Sequence, residues 1–249
     1  MIRCAGAYST FYRWLIFFGL MVFGAFAAFH NDLFSALIST DNSHLSVVIV
    51  VMFLLASLDA GRRAWQLGTE LCRTIELSQR AQSKQTLFEH RRDEDLLSFV
   101  DADHTRSFAH HHLLLLANKT VQHGELCSQD LLLERLENTL GRGHETGWFI
   151  ADLMIRLGLL GTVIGFIFML GSVANVSSVD IHALQQLLTN MSAGMRIALY
   201  TTLTGLGAGI LLGFQYRLLD SAVDRLMAEI IELAEVHITP QLRSLIETH

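Results

Sequence analysis

Between Leu157 and Phe214 the chain carries two apolar runs of helical length, Leu157 to Val176 and Ile197 to Phe214, with threonines and glycines closely spaced and no acidic residue inside either run. In hydrocarbon, backbone N–H and C=O groups find partners only within a helix or a closed barrel, so uninterrupted runs of this length must be helices. Threonine hydroxyls there need acceptors, and glycines let neighbouring helices meet backbone to backbone, so these spans suit packing around something polar. With 51% apolar and 17% charged residues and a mean hydropathy of +0.38, the rest of the chain also points to a membrane rather than to one soluble domain.

Two further runs fit that setting. Trp14 to Phe29 follows Arg3 and Arg13, and Leu45 to Leu58 ends at Asp59, Arg62 and Arg63. Of the 18 Lys and Arg, 11 fall between Arg62 and Arg142, whereas His30 to His44 and Asn175 to Ser192 contain none. The excess of cations on one side predicts four spans, both termini cytoplasmic in a bacterial inner membrane, two short outer loops and one large inner domain. Arg196, at the outer end of the fourth span, calls for snorkelling or an acidic partner. An alternative for the first segment is a cleaved signal peptide, since Ala25-Phe26-Ala27 is a small-x-small site. Cys4, Cys72 and Cys127 lack metal-type spacing and are expected to be reduced, incidental thiols. A net charge of -6 gives no reason to expect nucleic-acid binding.

Pro240 is the only proline, which predicts long helices and an all-α integral membrane fold with long helices extending into a helical cytoplasmic domain. The expected divisions are 1–60 (spans at about 12–30 and 45–60), 61–147 (inner helical domain), 148–216 (third and fourth spans) and 217–249 (inner helical tail). Within the inner domain, helices are expected over Arg62 to about Arg92, Arg106 to Gln122, and Ser128 to Leu140 with Ser128 as cap; Gly141 and Gly143 then punctuate before Trp148. Leu219, Val223, Leu226, Ile230 and Leu233 alternate spacings of four and three, so the fourth helix should leave the bilayer and pack in a bundle until Pro240.

The motifs lie in the last two spans. Gly158, Gly161 and Gly165 bracket Thr162 at helical spacing, leaving a smooth groove with one hydroxyl, or a packing face whose threonine bonds back to the carbonyl of residue 158. The fourth span places Thr201, Thr202 and Thr204 before Gly205, Gly209 and Gly213. Thr201 and Thr204 share roughly one face, and Thr202 is expected nearer the glycine ridge. Polar residues within spans are functional candidates because hydrocarbon penalises them.

GLLGTVIG in the third span and ALYTTLTGL in the fourth resemble the two signature helices of the MotA/TolQ/ExbB proton channel family, over roughly Trp148 to Arg225. The resemblance implies a channel-forming subunit of an ion-driven membrane motor, without enzymatic activity. Thr162 and Thr202 would line the ion path, Thr201 beside them and Thr204 close by. The implied assembly is a homo-oligomer, a pentamer, around two copies of a MotB/ExbD/TolR-like single-span partner whose aspartate carries the transported H⁺ or Na⁺. No other cofactor and no metal is implied. Ile197 stands where TolQ and ExbB types carry a glutamate, and Ile210-Leu211 replaces their isoleucine-proline. These departures and the four spans favour the flagellar-stator side. Neutralising the borrowed carboxyl would lower the cost of moving it past apolar walls, and one charge crossing 100 mV supplies about 2.3 kcal/mol per step.

Weaker features remain. Asp152 and Arg156 form an i,i+4 pair at the inner mouth, expected to support the helix. His110-His111-His112, with His104 and His123, is expected to be a solvated helix surface rather than a metal site. Arg91-Arg92-Asp93-Glu94-Asp95 is expected to be a solvated charge run. The competing function is a helical membrane scaffold or sensor that oligomerises through its glycines and conducts nothing.

Overall fold

The computed structural model describes residues 6–30, 44–82, 88–90, 97–99, 107–123, 129–174 and 181–247. The charge run at 91–95, the Ser128 cap, His104, Cys4 and Cys127 lie outside them. The described chain is helical apart from one short hairpin. Helix α1 spans Ser9–His30, α2 Leu45–Gln82, α3 Phe108–His123, α4 Asp130–Ala174 and α5 Ile181–Glu232. A π-helical turn, Leu233–Ile238, leads into α6, Thr239–Glu247. Strands β1, Phe88–His90, and β2, Leu97–Phe99, pair antiparallel with Phe88 opposite Phe99. Among the described residues four stretches are long and apolar enough to cross a membrane: Ser9–His30, Leu45–Gln82, Gly143–Gly171 and Leu184–Arg243.

Several boundaries differ from expectation. Helix α2 stops at Gln82 rather than near Arg92, and the apolar-polar-apolar pattern of Phe88 and Leu97–Phe99 serves the hairpin instead. Helix α4 passes through Gly141 and Gly143 without a break. Glycine inside a helix costs about 1 kcal/mol relative to alanine, and at Gly143 it makes room: a methyl group there would collide with the Arg63 guanidinium. Helix α5 begins at Ile181, well before Arg196, so part of the expected outer loop is helix and Arg196 is an exposed residue within it.

Pro240 does not end the tail. It has no N–H to give, and its ring would strike the carbonyl four residues back. The chain answers by widening one turn: the Thr239 backbone N–H and its hydroxyl, the latter at 2.9 Å, both bond the Ala234 carbonyl five residues earlier. Helix α6 then continues.

By contact density the chain divides into two units. One comprises Trp14–Gly61 and Glu145–Arg217 and holds the apolar segments. A buried polar node ties three of its helices: the Trp14 indole N–H and the Ser57 hydroxyl each donate to the Gln215 side-chain oxygen at 2.9 Å. The indole lies so close over Gly61 that a methyl group there would sit 2.4 Å from its ring. Phe17 and Phe214, with ring centroids 4.7 Å apart, join α1 to α5 one turn further along.

The other unit comprises Met1–Arg13, Arg62–His144 and Leu218–His249. Its core holds the whole expected seam, Leu219, Val223, Leu226, Ile230 and Leu233, together with Leu71 and Leu77 of α2, Leu113 and Leu116 of α3, and Ile238 and Leu242 beyond the seam. The His144 imidazole and Asp220 carboxylate meet at 2.7 Å between α4 and α5. Cys72 is disulfide-bonded, which corrects the expectation of a reduced thiol at that position. Spacing along the chain could not reveal a pairing made by the fold.

The histidine triplet also differs from expectation. His110 and His112 are 5% and 3% exposed, while His111 faces outward. Consecutive helical positions point about 100° apart, so α3 turns two rings inward past the third. Burial pushes the His112 pKa below its ordinary value of 6.5, opposed by the neighbouring Gln129 side chain and reinforced by His111. The folded unit thus binds this proton less readily than the unfolded chain does. The contribution of the neutral ring to stability is complete above about pH 6.5 and is lost as the pH falls through the lower folded value. Thermal unfolding of the purified protein between about pH 7.5 and about pH 5 should show a falling midpoint. His112→Gln should flatten that fall, and an unchanged slope would show that another group sets it.

Candidate functional site

The site is built on antiparallel α4 and α5 within the apolar unit. Three small-residue contacts bring these helices together. A methyl group on Gly205 would lie 2.6 Å from the Gly158 Cα and 2.7 Å from the Met154 carbonyl oxygen. One on Gly161 would meet the Thr201 hydroxyl oxygen at 2.3 Å, and one on Gly165 would meet Ala198 and the Gly194 carbonyl at 2.8 Å. Gly209 continues the seam against Ile155, whereas Gly213 has ordinary clearance from Trp148. The glycines therefore set the helix separation, because any side chain would insert into a neighbouring backbone.

Four hydroxyls are distributed along this seam in different ways. Thr201 is fully buried and bonds back to the Ile197 carbonyl at 2.9 Å and the Ala198 carbonyl at 3.1 Å. Lying four residues before Gly205, it heads the glycine ridge, in place of Thr202. Thr202 reaches across: its hydroxyl is 3.1 Å from the Gly158 carbonyl on α4 and 3.0 Å from Ala198 on its own helix. Thr204 bonds the Tyr200 carbonyl at 2.8 Å. Thr162 bonds Leu159 at 2.5 Å and leaves the Gly158 carbonyl, its expected acceptor, to Thr202.

Beside the seam is a cavity of about 410 Å³, lined by Thr162, Val163, Gly165, Phe166, Met169, Met195 and Ala198. Thr162 supplies its one hydroxyl. Thr201, Thr202 and Thr204 are not in its wall, so within a single chain the four threonines do not converge on one space. No acidic or basic side chain lines it either. Asp152 and Arg156 form their expected pair, 2.6 Å apart, with both side chains at least half exposed. Among the described residues no group of His, Cys, Asp and Glu is arranged to hold a metal ion.

Residues 114–232 match the model of the MotA/TolQ/ExbB proton channel family. This stretch is a domain of that family. Comparisons with curated proteins and with solved structures returned no match. The channel domain begins at Leu114, within α3, so it reaches further back than the Trp148 expected from the two motifs. The family matched over these residues is one of proton channels and not of enzymes.

The sequence motifs did not single out Gln215, Trp14 and Ser57, although a lone glutamine between Phe214 and Tyr216 was the available signal. Nor did they mark Phe166, Met169 and Met195, whose apolar character is shared by every neighbour in the span. Gly205→Ala should separate α4 from α5 and destabilise the apolar unit by about 1 to 3 kcal/mol, while Gly207→Ala, with open space around it, should cost nothing and stabilise by up to about 1 kcal/mol. Thermal unfolding in detergent of the two variants checks the contrast.

Proposed function

We propose that this chain is the channel-forming subunit of an ion-driven membrane motor, coupling ion flow to mechanical work through a single-span partner that carries the ion-binding carboxylate. The observation that carries this reading is the cavity beside Thr162. It offers one hydroxyl, polarisable methionines and an aromatic ring, and nothing that can take up and release a proton near neutral pH. A proton path through such walls needs an acid brought by another chain. The acid nearest Thr162 in α4, Asp152, is exposed and already paired with Arg156.

In this mechanism several copies of the chain, five by family resemblance, surround two partner helices. Thr162 and Thr202 stand beside the partner's carboxyl, with Thr201 and Thr204 shaping the wall around it. Protonation or sodium binding neutralises the carboxylate, which removes the cost of moving a charge past an apolar surface. The inner bundle carries the resulting motion to whatever the motor drives. Both termini lie on the cytoplasmic side in this reading, following the placement of lysine and arginine.

The scaffold alternative draws on one specific observation: the four hydroxyls are all bonded to backbone carbonyls, as a purely structural seam would have them. Thr162 separates the two readings. Among the described residues its hydroxyl bonds only within its own helix, so Thr162→Val removes no hydrogen bond between helices. In vesicles carrying the chain and its partner, this variant should reduce ion flux by about tenfold, equivalent to about 1.4 kcal/mol on the barrier, with the oligomer intact by mass. Undiminished flux would refute the role of Thr162. Thr202→Val also removes the bond to Gly158, so its flux is to be read against its own unfolding midpoint.

A further inference from the structure

The stretch joining the start of α1 to the middle of α2 carries two charges that the channel reading does not use. Arg13 immediately precedes the apolar run that opens at Trp14, and Arg62 immediately follows Gly61, at the end of the run that starts at Leu45. Both are exposed. Neither has an ion pair or hydrogen bond among the described residues, whereas Arg73 pairs with Glu70 at 3.0 Å and Arg225 donates to the Gly6 carbonyl at 3.3 Å.

Exposed aromatic rings accompany the two arginines. Trp65, one turn beyond Arg62, is 53% exposed, and Tyr12, beside Arg13, is 58% exposed. Trp65 is nonetheless held in place. Phe11 meets it edge-on at 5.1 Å and 87°, and Tyr8 lies 5.7 Å away at 54°. Tyr8 in turn sits 3.0 Å from where a methyl group on Gly68 would be. Tyr8 against Gly68 and Phe11 against Trp65 define an antiparallel register, which carried on sets Arg13 level with Arg63 and so within one residue, about 1.5 Å along the axis, of Arg62. Fixing a large indole half in solvent gives little to an ordinary soluble surface. At the headgroup depth of a bilayer it is favourable, because the ring has an apolar body and a polar N–H.

We propose that Arg13 and Arg62, framed by Tyr12 and Trp65, form a binding surface for the phosphate headgroups of anionic phospholipids. Charge complementarity selects this occupant: guanidinium matches phosphate with two parallel hydrogen bonds. Position selects a lipid source, since each arginine adjoins a run long enough to span a membrane and therefore lies at the level of the headgroups. The bound lipid fixes the base of the α1–α2 pair in the bilayer.

The test is native mass spectrometry of the purified chain, taken from nanodiscs that contain equal amounts of phosphatidylglycerol and phosphatidylcholine. The wild type should retain phosphatidylglycerol preferentially. Arg13→Gln with Arg62→Gln should lower the retained ratio on the order of tenfold. Arg13→Lys with Arg62→Lys, which keeps the charge, should hold most of it. Arg135→Gln with Arg243→Gln removes two exposed charges of the same unit that have no ion pair among the described residues and should leave the ratio unchanged. Four results would overturn the proposal: an unaltered ratio in the Gln pair, an equal fall in the Arg135 and Arg243 control, a Lys pair no better than the Gln pair, or displacement of the lipid by inorganic phosphate. Loss of oligomer mass in the Gln pair with the lipid ratio kept would instead assign the surface to a protein partner.

Discussion

The contact of α4 with α5 at Gly158 and Gly205 is the constraint on which the apolar unit depends. With Cα against backbone and no side chain between, the two helices come close enough for the Thr202 hydroxyl to reach a carbonyl on the opposite helix. In hydrocarbon there is little hydrophobic drive to hold helices together, so fit and hydrogen bonding must do it. Beside that contact the larger residues Phe166, Met169 and Met195 line an open pocket on the face of the helix pair. Packing and the candidate pathway therefore share one helix pair.

The other unit relies on a different force. Its helices bury leucines, isoleucines and valines at heptad spacing, and water supplies the drive. This bundle tolerates irregular features that a membrane helix would not carry unaided: two buried imidazoles in α3, an imidazole–carboxylate contact between α4 and α5, and a π turn that absorbs a proline. At the π turn Ala234 accepts two bonds from Thr239, and at His112 burial disfavours the charged form and lowers the pKa.

Much of the fold was legible because its signals repeat. Four apolar runs, the seam from Leu219 to Leu233 and the glycine spacing in two spans each use a period that only one arrangement satisfies. The family domain was legible for the same reason, since its two motifs lie on those periodic spans. What escaped notice depends on distant neighbours. His110 and His112 have the composition of a surface segment, yet they face inward because their helix lies against others. Gly143 reads as punctuation but is a vacancy for the Arg63 side chain. Gln215 gains its meaning from Trp14 and Ser57, which are far away along the chain.

The sequence by itself determined that the chain is helical with four long apolar segments, and that hydroxyls and small residues concentrate in the last two of them, because these follow from periodicity and from the cost of unpaired backbone in hydrocarbon. The tertiary structure alone decided which hydroxyl does what. Thr201 packs, Thr202 bridges and Thr162 meets the cavity, although all three belong to similar motifs. Hydrogen bonding and steric fit act over a few ångströms, and those distances are set by the approach of two helices whose contacting residues are about forty positions apart.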